Sequence, residues 1–307
     1  MNSPTLVTAC LSSGSPAPCY DVRVVASGID SAAAMTSLPD GRLAFVEGEH
    51  RVRIIASRAL VPEPALAVDP SHARIVGLVA DPNFIATRMV FVSWIERRAS
   101  GESVLNVTRY REVQNEFGEG ATIVTGIPVP ERAVVPLAAD PAGRLYVAIP
   151  ASASGGAGHV ARFGFDGSVP RDGLPFSPVF AEGYASPTGL AVTPGANQLW
   201  LGGNSSGDSE ALSSISLQTN AASQWPLRRR AVRQGQFGDL SFVSLTRPAA
   251  SANSSQNPAA STVLVGAGRR LFVGLVSAAG IASGFDQVRF DPDVQVQAAA
   301  PAPDGSI

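Results

Sequence analysis

The stretch SLPDGRLAFV, residues 37–46, joins a tight turn to a short apolar strand. Proline presets φ, aspartate can bond its own backbone and glycine supplies positive φ, so Pro39-Asp40-Gly41 is a turn with a mechanism. The run RLAFV behind it is rich in apolar and aromatic residues, as strands are. The same unit returns as VADPNFIATRMVFVSW (79–94), AADPAGRLYVAI (138–149) and VTPGANQLWLGG (192–203). VLVGAGRRLFVG (263–274) reads as a copy that has lost its proline, and APAPDGSI (300–307) as the start of another. Prolines 39, 82, 141 and 194 stand 43, 59 and 53 residues apart. A period of about 40–50 residues is that of a four-stranded propeller blade. The expectation is an all-β chain: a six-bladed β-propeller of four-stranded antiparallel blades over 23–307, behind a flexible segment, 1–22. Connections such as ASASGGAG (151–158) and ASANSSQNPAAS (250–261) carry no helical period, which argues against an α/β fold.

A propeller gathers its inter-blade loops at the mouth of a central channel. Candidate residues therefore belong just before the repeat strands and in the long loops. The chain has 307 residues with a formal charge of −2 and a pI near 5.9, which gives no electrostatic reason to expect nucleic acid. The basic run RRRAVR (228–233) reads as a solvated loop. No lysine occurs, so Schiff-base chemistry and a Walker-type phosphate loop are excluded. No apolar run approaches the length of a transmembrane helix.

Cys10 and Cys19 allow a local disulfide, a lipid anchor at Cys10 with SSGSPAP as tether, or two free thiols. The first two favour export to a bacterial periplasm or the exterior. His50, His72 and His159 are not spaced as a metal pair, and no G-x-S-x-G elbow is present. SGDSEA (206–211) holds Asp208 and Glu210, oxygen donors that suit Ca²⁺ but fall short of a dedicated loop.

VVASGIDSAAAMTSLPDGRLAFVEGEHRVRII (24–55), IVGLVADPNFIATRMVFVSW (75–94), GHVARFGFDGSVPRDGLPF (158–176) and EGYASPTGLAVTP (182–194) together resemble the soluble quinoprotein glucose and sorbosone (aldose sugar) dehydrogenases. That resemblance implies a six-bladed propeller binding pyrroloquinoline quinone (PQQ) and Ca²⁺ at the channel mouth and oxidising aldoses. It also implies site positions that this chain fills differently. Arg132 stands where the family has its catalytic histidine, and Val134-Val135 where it has Gly-Gly. A guanidinium that stays charged cannot act as a general base. His72 takes the place of a glutamine, and Tyr184-Ala185-Ser186 that of His-Arg-Asn ahead of Pro187. The calcium loop is reduced to GGNSSGDSEAL (202–212), and the lysine used on the cofactor has no counterpart. The expectation is a propeller with no cofactor, holding a small molecule or protein at its mouth. The alternatives are an active PQQ- and Ca²⁺-dependent aldose dehydrogenase with rearranged residues, and an enzyme using His72 as base with Arg132 stabilising negative charge. Tyr184 and Ser186 are pocket candidates.

Overall fold

A computed structural model describes residues 7–12, 19–152, 156–171, 176–193, 198–205, 210–217, 227–228, 230–234, 240–246, 261–268, 270–276, 282–291 and 294–301. The fold is all-β and propeller-like. The repeat turns explain why. In the third copy Asp140 Oδ1 accepts the backbone N–H groups of Ala142 and Arg144 at 2.9 and 3.0 Å. The Asp140 N–H donates to the Arg144 carbonyl at 3.0 Å, and Gly143 takes φ +79°. Leu38 donates to Arg42 in the same way at 2.8 Å, with Gly41 at φ +92°. Thr193 donates to Gln198 at 2.9 Å. In the second copy Asp81 caps Asn83, and four residues, Phe84–Thr87, form a short helix that the sequence pattern does not announce.

Each such turn joins an inner strand to its outward neighbour. The inner strands are Ala32–Ser37, Ala73–Ala80, Leu137–Ala139, the latter part of Val179–Val192, and Leu240–Thr246. Their side chains alternate between two seams, as a period of 2 requires. Val90 and Val92 pack toward the first group of strands, while Phe91 and Ile95 pack toward the third. Leu145, Val147 and Ile149 face back to the second group; Tyr146 and Ala148 face forward with Phe180 and Leu199. Strands buried on both faces read as continuous apolar runs, which is why the repeats lack clean alternation.

The six-blade expectation meets four hydrogen-bonded sheets, of six, four, eight and five strands, among the described residues. The eight-stranded sheet exists because Val179–Val192 belongs to two successive groups. Its first part pairs with Gly158–Gly164 and its second part with Gln198–Ser205. The fifth copy is also out of phase. VLVGAGRRLFVG forms the hairpin between Ser261–Ala267 and Arg270–Val276, the second and third strands from the axis. The connection equivalent to the other repeat turns runs from 247 to 260, outside the described residues, as does the last copy beyond 301.

Within the segment expected to be a tether, Val7–Leu11 pairs with Ala282–Asp291 and with Cys19–Val22. Cys10 and Cys19 stand opposite each other and are joined by a disulfide. A lipid anchor at Cys10 would need the same sulfur. Ala9, Leu11 and Val22 pack with Leu264, Leu271 and Val288, so this hairpin widens the last sheet. None of the helices in the described residues is long and apolar enough to cross a membrane.

Candidate functional site at the propeller mouth

The turns between second and third strands and the connections leading into inner strands meet at one end of the axis. Arg74, at the start of its inner strand, ties three of them together. Its Nη1 donates to Glu49 Oε1 at 2.8 Å, and its Nη2 donates to the carbonyls of Glu131 and Ala133 at 2.6 and 3.2 Å. The Ile75 N–H donates to the Glu49 carbonyl at 2.6 Å, fixing that turn against the strand. Arg97 pairs with the Glu131 carboxylate, and its N–H donates to the His72 carbonyl at 2.8 Å. This network was not anticipated; the only sequence signal for it was an arginine two residues beyond His72 on a strand otherwise apolar.

His72 lies in this region but is solvent-facing, with its side chain 74% exposed. Its Nδ1 sits 3.0 Å from Asp69 Oδ2 and 2.7 Å from Ser71 Oγ. Ser71 donates both its backbone N–H and its hydroxyl to Asp69 Oδ1, and with His72 it holds the Asp69 carboxyl down to about 2. These contacts hold the imidazole at the surface, facing solvent. Arg132 is exposed in the turn closed by the Ala133 N–H to the Pro130 carbonyl. His72 and Arg132 make no hydrogen bond or ion pair with each other among the described residues. Val135 is fully buried, and its carbonyl accepts from Ser93 Oγ at 2.8 Å; Val134 is 46% exposed.

Tyr184 is buried in the seam with Phe180 and Leu190, and its backbone pairs with Gly158 and Ser205. Ser186 pairs with Asn204 at a register shift in the same long strand. Glu210 begins the strand opposite Asn204, and Asp208 lies outside the described residues. His50 Nδ1 bonds the Gly48 carbonyl and His159 Nδ1 that of Ala157, both local contacts. No group of three His, Cys, Asp or Glu side chains among the described residues is placed to share a metal ion.

The axis below the mouth holds a cavity of about 270 Å³. Six segments line it: 33–37, 76–79, 134 with 136–139, 188–192, 241–245 and 298–301. Among these described residues there is no Asp, Glu, His or Arg.

A PQQ molecule carries three carboxylates and needs cationic partners. Two described arginines of the mouth, Arg74 and Arg97, are committed to Glu49, Glu131 and backbone carbonyls, while Arg132 is exposed. Arg74 and Arg97 could serve that cofactor only by giving up these partners.

The sequence model of the glucose/sorbosone dehydrogenase family matches residues 29–220. No curated protein sequence matches the chain. Among solved structures, the soluble aldose sugar dehydrogenase of Escherichia coli in the apo form superposes with a TM-score of 0.73 at 17% identity, covering 92% of this chain and 93% of that one. The PQQ-bound aldose sugar dehydrogenase of Streptomyces coelicolor gives 0.68 at 16%, covering 99% and 91%. A gluconolactonase from Xanthomonas campestris gives 0.53 at 14%, covering 86% and 78%. These identities speak to the fold, and the family match adds the lineage: the chain belongs to the glucose/sorbosone dehydrogenase family.

Proposed function

We propose that this chain is a binding module built on the sugar-dehydrogenase propeller, without quinone-dependent oxidation. The carrying observation is that Arg74 and Arg97 at the mouth are spent on internal partners, which leaves exposed Arg132 to face a tricarboxylate cofactor. Arg132 at the expected position of the base, and the absence of lysine, point the same way. The ligand is a small molecule or a protein segment taken at the mouth. The ring is read as six-bladed because six chain segments surround the cavity, the last being 298–301. The Cys10–Cys19 bond supports an oxidising compartment, the periplasm or the exterior.

The test is titration of the purified protein with PQQ and Ca²⁺, followed by absorbance and melting temperature, then an aldose panel with an artificial electron acceptor. The expected result is no saturable spectral change and no aldose-dependent dye reduction. Saturable binding with turnover would make the chain a working quinoprotein and defeat the proposal.

A further inference from the structure

We propose that the axial cavity is a binding site for one small, uncharged, mainly apolar organic molecule bearing a hydroxyl or carbonyl group. The proposal rests on the binding-module reading and names the ligand class. Of the described lining residues only Thr36, Ser37, Thr188, Ser241 and Ser244 carry side-chain polar atoms; the remainder are apolar. Ser37 donates its hydroxyl proton to the Pro301 carbonyl, and Thr188 to Gly202 at 3.4 Å. Thr36, Ser241 and Ser244 make no side-chain hydrogen bond among the described residues, which leaves them to meet a guest. Inner strands Ala32–Ser37, Ala73–Ala80, Leu137–Ala139 and Leu240–Thr246 each end a sheet on this side, so their free backbone edges add further donors and acceptors.

Size and charge then set the selectivity. A cavity of about 150 Å³ with apolar walls accepts benzene, and this one, at about 270 Å³, has room for a substituted ring. An ion entering it would shed part of its hydration with no counter-charge among the described lining residues, a cost that hydroxyls only partly offset. Val134 both lines the cavity and is 46% exposed, so it marks an opening to solvent.

The experiment uses three isosteric probes, benzyl alcohol, benzoate and benzylammonium, with binding to the full chain followed by saturation-transfer NMR and heat of titration. Benzyl alcohol is expected to bind saturably, with each ion weaker by about tenfold or more. Val134→Trp, a change at an exposed rim position, should abolish benzyl alcohol binding while leaving the melt unchanged. Ser241→Asp should turn the preference toward benzylammonium; should that variant not fold, the probe series and the Val134 variant still decide. Equal binding of all three probes, no binding of the alcohol, or binding unmoved by Val134→Trp would each overturn the inference. PQQ turnover together with Val134-dependent alcohol binding would defeat the functional proposal and spare this one.

Discussion

Replacing Glu112 with glutamine removes one charge from a brace that joins the first two strand groups at the end of the axis opposite the mouth. The Glu112 side chain has no solvent exposure. It accepts from Arg42 Nη1 and Nη2 at 2.7 and 2.8 Å and from the Asn115 N–H at 2.7 Å, and it pairs with Arg88. Both guanidiniums also reach Asp40 Oδ2, at 2.6 and 2.9 Å, and they lie 6.0 and 4.7 Å from the centre of the Phe84 ring. Removing one partner of a buried ion pair costs about 3–5 kcal/mol. Asp40 still compensates both arginines, and Arg88 is 35% exposed, so the lower end, about 3 kcal/mol, is expected. At about 2 °C per kcal/mol for a chain of this size, the melting midpoint falls by about 6 °C.

The pH dependence has a definite sign. Burial pushes the Glu112 carboxyl up, but the Arg42 hydrogen bonds, the Asn115 N–H and the charges of Arg42 and Arg88 more than offset it, holding the group below its ordinary 4.5. A depressed acid stabilises the fold fully above its unfolded value and loses that contribution as pH falls through the folded one. The gap in urea midpoint between wild type and Glu112→Gln should therefore narrow as pH falls from 7 to 3. A loss under about 1 kcal/mol at pH 7, or a gap that widens toward acid, would refute the reasoning.

Gly77→Ala is expected to cost about 1–3 kcal/mol by overpacking, since a Cβ there would collide with Ser93 Oγ and the Val135 carbonyl. Gly41→Ala, with open space but φ +92°, should cost about 1–2 kcal/mol through backbone strain alone; urea denaturation measures both losses. Tyr146→Phe removes the hydroxyl donated to Asp140 Oδ2 at 3.0 Å and should cost about 1.5–3 kcal/mol by the same assay. Cys10→Ser opens a loop of sequence separation 9. It should lower hydrogen-exchange protection of the Val7–Leu11 amides while leaving the global melt nearly unchanged, because that hairpin lies at a sheet edge.

The repeat turns were legible because their chemistry is local. Asp140 bonds residues two and four positions on, so the motif carries its own explanation. The copy at 263–274 was placed in the wrong phase because an apolar run, a glycine turn and a second apolar run describe any hairpin. Which strand of the pair lies nearer the axis is decided by contacts with distant residues. Strand Val7–Leu11 escaped notice for the same reason, since its partner is Ala282–Asp291. At the mouth, His72 could be named but not its exposure, nor the Arg74 links to Glu49 and Glu131. The cavity was invisible in principle, because six remote segments contribute to it and no single one bears a motif.

The strand Val179–Val192 has a consequence for anyone who would cut this chain. New termini are tolerated at exposed turns, such as the one around Gly101, where the Gly101 N–H meets the Arg98 carbonyl and a cut would sever no sheet. Between Ser186 and Pro187 a cut would divide the one strand, Val179–Val192, that pairs with both neighbouring groups. Complementing fragments or circular permutants should take their seam from a turn of the Gly101 kind, and the third and fourth groups should be carried as one indivisible piece.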